Sequence, residues 1–128
     1  MLYLDCDIII DQDISSIFDY DIENYAIWAP LDIGTNNYYH NILKTPNSHW
    51  YFNSWVLLMN LEYMRKNDIS EKVFTYVKEN ANKLIACDQD ALNGILYNKR
   101  IRIPLKYNAL DRVFVWKNIE WFSKEELR

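Results

Sequence analysis

The chain opens on an apolar run of strand composition, residues 3–10 (YLDCDIII), interrupted by two acids, Asp5 and Asp7. A strand has a side-chain period of two, so this run predicts both carboxylates on one face. Behind it, Asp13 is placed to cap a short helix carrying Ile14, Ile17 and Phe18 on one side. The polar stretch 19–24 reads as a turn, and 25–29 as a strand ended by Pro30. Residues 31–50 show no clear period and are rich in Asn, Thr, Ser and Pro. They predict a long loop with one helical turn.

Residues 55–59 form a continuous apolar run of buried-strand type, followed by a short helix over 61–66. Asp68 and Glu71 have the spacing of a capping box. Val73, Val77, Ala81 and Leu84 then recur at helical intervals, predicting a helix over 69–83. Asp88 can cap another helix with Ala91, Leu92, Ile95 and Leu96 on its inner face. Residues 101–105 read as a short strand, and Pro104 puts it at an edge or a strand end. Strands alternating with helices predict an α/β fold without internal repeats. Ser123 and Glu126 carry a second capping-box spacing, two residues before Arg128. With a strand at one end and a helix start at the other, the sequence reads as a chain truncated at both ends.

Composition narrows the class. The 128 residues predict a single domain, and with half of them hydrophobic and 16% aromatic they can build a core. A net charge of −4 without a basic patch argues against nucleic acid as a partner. Cys6 and Cys87 lie far apart, which suits a reduced cytoplasmic protein better than a disulfide scaffold. The first apolar run carries acids and lacks a basic start, so it is no signal peptide, and no stretch reaches the length of a membrane span. Gly34 and Gly94 are the only glycines, which excludes a Walker loop and a GxGxxG turn.

The paired acids carry the candidate chemistry. Two like charges inside an apolar run repel, and each loses hydration. A divalent cation, a shared proton, or a strand end that opens to water relieves the conflict. Hard oxygen ligands suit Mg²⁺ or Mn²⁺. His40 and His49 fall in the aperiodic loop and read as surface residues. Asp88 and Asp90 suit any helix N-terminus, by capping and by the helix dipole.

Four segments in order resemble glycosyltransferase family 8, a retaining group with the GT-A fold that includes lipopolysaccharide galactosyl- and glucosyltransferases and glycogenins. YLDCDIII is similar to its DxD strand. YFNSWVLLMNLEYMR (51–65) resembles its F-N-[small]-G-V-hydrophobic-N-L-x-x-x-R segment, CDQDALN (87–93) its D-Q-D-x-L-N motif, and KYN (106–108) a later Y-N landmark. The resemblance implies a partial GT-A fold, a mixed sheet flanked by helices. It implies that Asp5 and Asp7 hold Mn²⁺ or Mg²⁺ on the diphosphate of a UDP-glucose or UDP-galactose donor, with Asp5 also near the sugar. By the same resemblance Asn53 and Ser54 line the donor-sugar pocket, Asp88 accepts bonds from sugar hydroxyls, and Gln89 lies near the reacting carbon, with Asp88 and Gln89 as the catalytic pair. The implied acceptor is a glycan or lipopolysaccharide. The implied location is cytoplasmic, with peripheral attachment at the inner membrane face left to segments outside the chain.

Three departures accompany the resemblance. The family's nucleotide-binding half, which precedes the DxD strand, has no counterpart here. Its third metal ligand, a His in H-x-x-G-x-x-K-P-W, has none either. Trp55 stands where the family pattern has Gly, a residue that permits close approach of backbone to ligand. The isolated chain is therefore expected to be inactive and to associate through open sheet edges. Two other readings stay open. One is a haloacid-dehalogenase-like phosphatase with Asp5 as nucleophile and Asp7 as acid. The other is a non-catalytic remnant that binds a partner.

Overall fold

The structure is a computed structural model that describes residues 1–34, 37–46 and 49–109. Its strands are β1 (Leu2–Leu4), β2 (Ile27–Pro30), β3 (Val56–Met59) and β4 (Arg100–Ile103). Its helices are α1 (Asn37–Leu43), α2 (Leu61–Lys66), α3 (Ile69–Asn80) and α4 (Cys87–Leu96), with 3₁₀ turns at Ser15–Asp19 and Leu105–Tyr107. The strands form one sheet in the order β1-β3-β2-β4. β3 is antiparallel to both β1 and β2, whereas β2 and β4 are parallel, so the sheet is mixed, as the sequence predicts. β1, β2 and β4 therefore run the same way, and their carboxyl ends meet the start of β3 at one end of the sheet.

The period of two divides the core. Ile27, Ala29 and Leu57 point to one face, where Phe52, Ile69 and Leu96 join them under α2, α3 and α4. Trp28, Val56, Leu58 and Ile103 point to the other, packed with Ile17 beneath the Ser15–Asp19 turn and the loops beside it. Each fully buried large side chain contributes about 1.5–3 kcal/mol by leaving water. The Tyr76 ring lies so close over Gly94 that a Cβ there would meet it at 2.5 Å, so this glycine lets α3 settle onto α4.

Several elements differ from their sequence expectation. β1 ends at Leu4, so Asp5 and Asp7 do not share a strand face. The Asp5 N–H still reaches the Trp55 carbonyl at 2.9 Å, but its carboxylate then accepts the Cys6 N–H at 2.9 Å and the chain turns. The isoleucines beyond are not a strand, and Ile9 is 92% exposed. Asp13 takes the Ser15 N–H at 2.8 Å as expected, but the turn it starts is 3₁₀, and Phe18 faces solvent while Ile17 is buried. β2 keeps Pro30, whose carbonyl accepts the Asn53 N–H at 3.0 Å. α1 gives the long loop seven helical residues rather than one turn.

α2 has its predicted bounds, because Asn60 caps it by accepting the Tyr63 N–H at 2.9 Å. Asp68 is not a side-chain cap: it follows α2 at once and must reverse the chain, which it does with φ of 51°. α3 stops at Asn80, short of the expected Lys83, where the Asn80 side chain turns back to the Tyr76 carbonyl at 2.9 Å. Asp88 lies inside the first turn of α4 rather than at its cap. The Ser123 and Glu126 helix start lies outside the described residues.

Candidate functional site

The sequence-predicted residues come from three elements that meet at the carboxyl end of the sheet, where α/β folds place ligands. Asp5 follows β1, Asn53 and Ser54 precede β3, and Asp88 and Gln89 begin α4. Backbone pairing sets the first contact: the Asp5 N–H to the Trp55 carbonyl fixes the end of β1 against the start of β3. Side chains set the second. Gln89 Oε1 accepts the Ser54 N–H at 2.9 Å, and Ser54 Oγ lies 3.4 Å from both Asp88 Oδ2 and Gln89 Oε1. The Asp5 charge, then burial, then the Asp88 charge hold the Tyr3 hydroxyl above its usual range.

Beneath these residues lies a buried frame. Asn93 brackets Phe52, accepting its N–H at 2.9 Å and donating to its carbonyl at 2.8 Å. Asp90 is fully buried, takes the N–H groups of Ile85 and Ala86 at 2.6 and 2.7 Å, and accepts the Tyr51 hydroxyl at 2.6 Å. Burial, with the Asp90 carboxylate adding to it, pushes the Tyr51 hydroxyl far up, so it stays a donor. Asp90 thus ties the two residues that lead into α4 back onto the helix, and the capping role that the sequence assigned to Asp88 is taken by no side chain. Asn53 is buried as well, and its Oδ1 accepts from the Trp55 N–H and from Asn108 Nδ2, each at 3.0 Å. That bond gives the Y-N landmark a structural part.

Asp32 escapes the sequence reading. It sits just after β2, donates its N–H to the Tyr51 carbonyl at 3.0 Å, and accepts Gly34 N–H and Gln89 Nε2 through its two oxygens at 2.9 and 3.0 Å. The Gln89 carboxamide is therefore held at both ends, by Ser54 and by Asp32. An acid two residues before one of only two glycines was the available signal, and it lay in an aperiodic stretch.

Asp5 is half-buried, whereas Asp7, Cys6, Cys87 and Asp88 are exposed. Cys87 holds φ of 44° where the chain enters α4. Asp7 and Trp55 border a cleft of about 690 Å³ that continues over Ile8–Ile10 to Lys106 and Tyr107. His40 and His49 stand apart from this mouth. His40 Nδ1 is 2.9 Å from Thr45 Oγ1, and His49 packs edge-on to Tyr97. Among the described residues no three His, Cys, Asp or Glu gather in a manner that could hold a metal. None of the described helices is long and apolar enough to cross a membrane.

The protein-family model described as glycosyl transferase family 8 matches residues 1–124. The chain is 38% identical over 114 residues to general stress protein A of Bacillus subtilis, covering 85% of this chain and 38% of that protein. It is 27% identical over 131 residues to a lipopolysaccharide 1,2-glucosyltransferase of Escherichia coli, covering 97% and 39%. Among solved structures, the galactosyltransferase LgtC in complex with donor and acceptor sugar analogs matches with a TM-score of 0.76 and 26% identity. That match covers 82% of this chain and 38% of LgtC. The chain thus spans well under half the length of these proteins. The haloacid-dehalogenase-like alternative is not favoured by any of these matches.

Proposed function

The chain belongs to glycosyl transferase family 8, and from that premise we propose that its sheet-end mouth holds the diphosphate and hexose of a nucleotide-sugar donor. The observation that carries the reading is the convergence of Asp5, Ser54, Asp88 and Gln89, from three elements, onto one polar mouth above a buried frame. The donor is UDP-glucose or UDP-galactose and the acceptor a glycan, lipopolysaccharide among them. The names of the E. coli glucosyltransferase and of LgtC support that range.

The metal fits this donor set in part. Asp5 and Asp7 are hard carboxylates on one turn, Asp7 open to solvent, and these two would hold Mn²⁺ or Mg²⁺. When bound, such an ion neutralises charge on the leaving diphosphate. The remaining work falls to the protein. Asp88 offers an exposed carboxylate to sugar hydroxyls. Gln89, clamped between Ser54 and Asp32, presents a fixed dipole to the anomeric carbon. Ser54, tied to both, sets the depth at which the sugar rests. The bond from the anomeric carbon to the diphosphate oxygen breaks, the bond to an acceptor oxygen forms on the same face of the ring, and the acceptor hydroxyl's proton passes to the departing diphosphate.

Manganese line broadening of amide resonances tests the site. Broadening should centre on Asp5, Cys6 and Asp7, strengthen when UDP is added, and vanish in Asp5→Ala, Asp7→Ala. Broadening centred on other acids, or persisting in that double variant, would contradict the reading.

A further inference from the structure

We infer that the cleft beside Asp7 is a saccharide subsite, in which the Trp55 indole is the platform for one sugar ring. The inference rests on the donor reading above, because it gives the cleft the acceptor side of the same reaction.

Three observations carry it. The first is that Trp55 is exposed on a fixed backbone. Its side chain is 42% exposed, whereas Trp28 is fully buried. Its N–H donates to Asn53 Oδ1 at 3.0 Å and its carbonyl accepts the Asp5 N–H at 2.9 Å. The backbone that carries the indole is thus held between Asn53 and Asp5, and a large apolar ring left in water there gains by being covered. The second is the cleft itself. At about 690 Å³ it falls within the range of sites for small ligands. The third is the pairing of surfaces along its walls. Ile8–Ile10 and Val56 line it together with Asp7, Asp11, Gln12 and Lys106.

A pyranose matches that pairing. One of its faces is a patch of C–H bonds, which packs against the electron-rich face of an aromatic ring. Its edge carries hydroxyls, which both donate and accept, and carboxylate, carboxamide and ammonium groups serve them. A purely aliphatic ligand would leave Asp7, Asp11 and Lys106 to be desolvated without partners. Because Trp55 lines the cleft and its backbone bonds Asn53 and Asp5 at the mouth, a ring stacked on the indole would lie close to the position assigned to the donor.

The test uses the whole chain and follows the Trp55 indole N–H by nitrogen-15 NMR, assigned from its loss in Trp55→Phe. The probes are the neutral disaccharides maltose and lactose, with octanoate as an apolar control. The buried Trp28 indole, which donates to the Arg102 carbonyl at 2.9 Å, is the internal reference. The expected result is a saturable shift of Trp55 with at least one disaccharide and none of Trp28, unchanged when EDTA removes divalent ions. Amide shifts at Asp7 and Lys106 should follow the same curve in the native chain, weaken in Trp55→Phe and disappear in Trp55→Ala. A silent Trp55 resonance, a stronger response to octanoate, or undiminished binding in Trp55→Ala overturns the subsite. If Mn²⁺ and UDP meanwhile broaden Asp5 and Asp7, the donor reading stands without it. A disaccharide shift at Trp55 with no Mn²⁺ effect at Asp5 and Asp7 supports the subsite and counts against the donor reading.

Discussion

Asp88 and Gln89 begin the same helix as Asp90 and Asn93, yet the two pairs occupy opposite surroundings. Asp90 and Asn93 are buried, and their side chains hold residues 51–52 and 85–86 in place, with Asn93 also donating to the Gln89 carbonyl. Asp88 is exposed and Gln89 half-buried, and both turn toward Ser54 at the mouth. One short motif thus contains a frame and a working surface, separated by the helical period rather than by sequence distance. The frame removes freedom from the working residues in advance, which is what positioning a reactive sugar demands.

The sharpest way to break this division is to attack the frame. Asn93→Ala leaves the Phe52 N–H and carbonyl buried without partners. At about 1–3 kcal/mol for each stranded group, thermal or urea unfolding should show a loss of about 2–6 kcal/mol. Asp90→Ala strands two N–H groups and the Tyr51 hydroxyl and should be at least as damaging. Either variant melting like the native chain would remove the distinction between frame and mouth. Asp88→Asn and Asp7→Asn should leave unfolding within about 0.5 kcal/mol of native, as surface substitutions do.

A second effect concerns turnover. We expect UDP release from UDP-glucose with Mn²⁺ to stay at the level of the Asp5→Ala, Asp7→Ala control in this chain alone. Each missing charge-stabilising group costs about 10²–10³ in rate, and the described residues gather no third metal ligand. Release clearly above that control would show that the two acids suffice.

The smallest effect is a pH dependence away from the mouth. Burial, with Arg100 nearby, holds the His40 imidazole below its usual range. Its unfolded form binds a proton more readily, so its contribution is complete above the ordinary histidine value of about 6.5 and is lost as pH falls below it. His40→Gln should flatten the stability curve in that window and leave sugar binding unchanged. An unchanged slope would place the titration elsewhere. Arg100 itself, lowered to about 10 by burial, keeps its charge throughout this range, over the Trp50 ring at 4.3 Å.

Sequence reasoning reached the elements whose signals are local. α2 carries its cap at Asn60 and has its expected bounds, and the apolar runs locate β2 and β3 to within two residues. It failed where a local signal meets a long-range constraint. Ile8–Ile10 read as strand, but the chain turns at Asp5, so the shared strand face of Asp5 and Asp7 is replaced by a solvated turn. Asp68 has capping-box spacing, but its place directly after α2 sends it to a left-handed turn. The tasks of Asp32, Asp90 and Asn93 depend on residues about 30 to 60 positions away, such as Phe52 and Gln89, and no period in the sequence encodes those pairings.

Calorimetric titration with UDP-glucose and UDP-galactose in the presence of Mn²⁺, with melting curves recorded beside it, tests the division most directly. The native chain should bind at least one donor. Asp7→Ala and Asp88→Asn, both at exposed positions, should each lose that binding while melting within about 2 °C of the native chain, consistent with a surface change of less than 0.5 kcal/mol. Donor binding that survives in both variants, or that disappears only when the melting temperature collapses, would contradict a working mouth set on a separate frame.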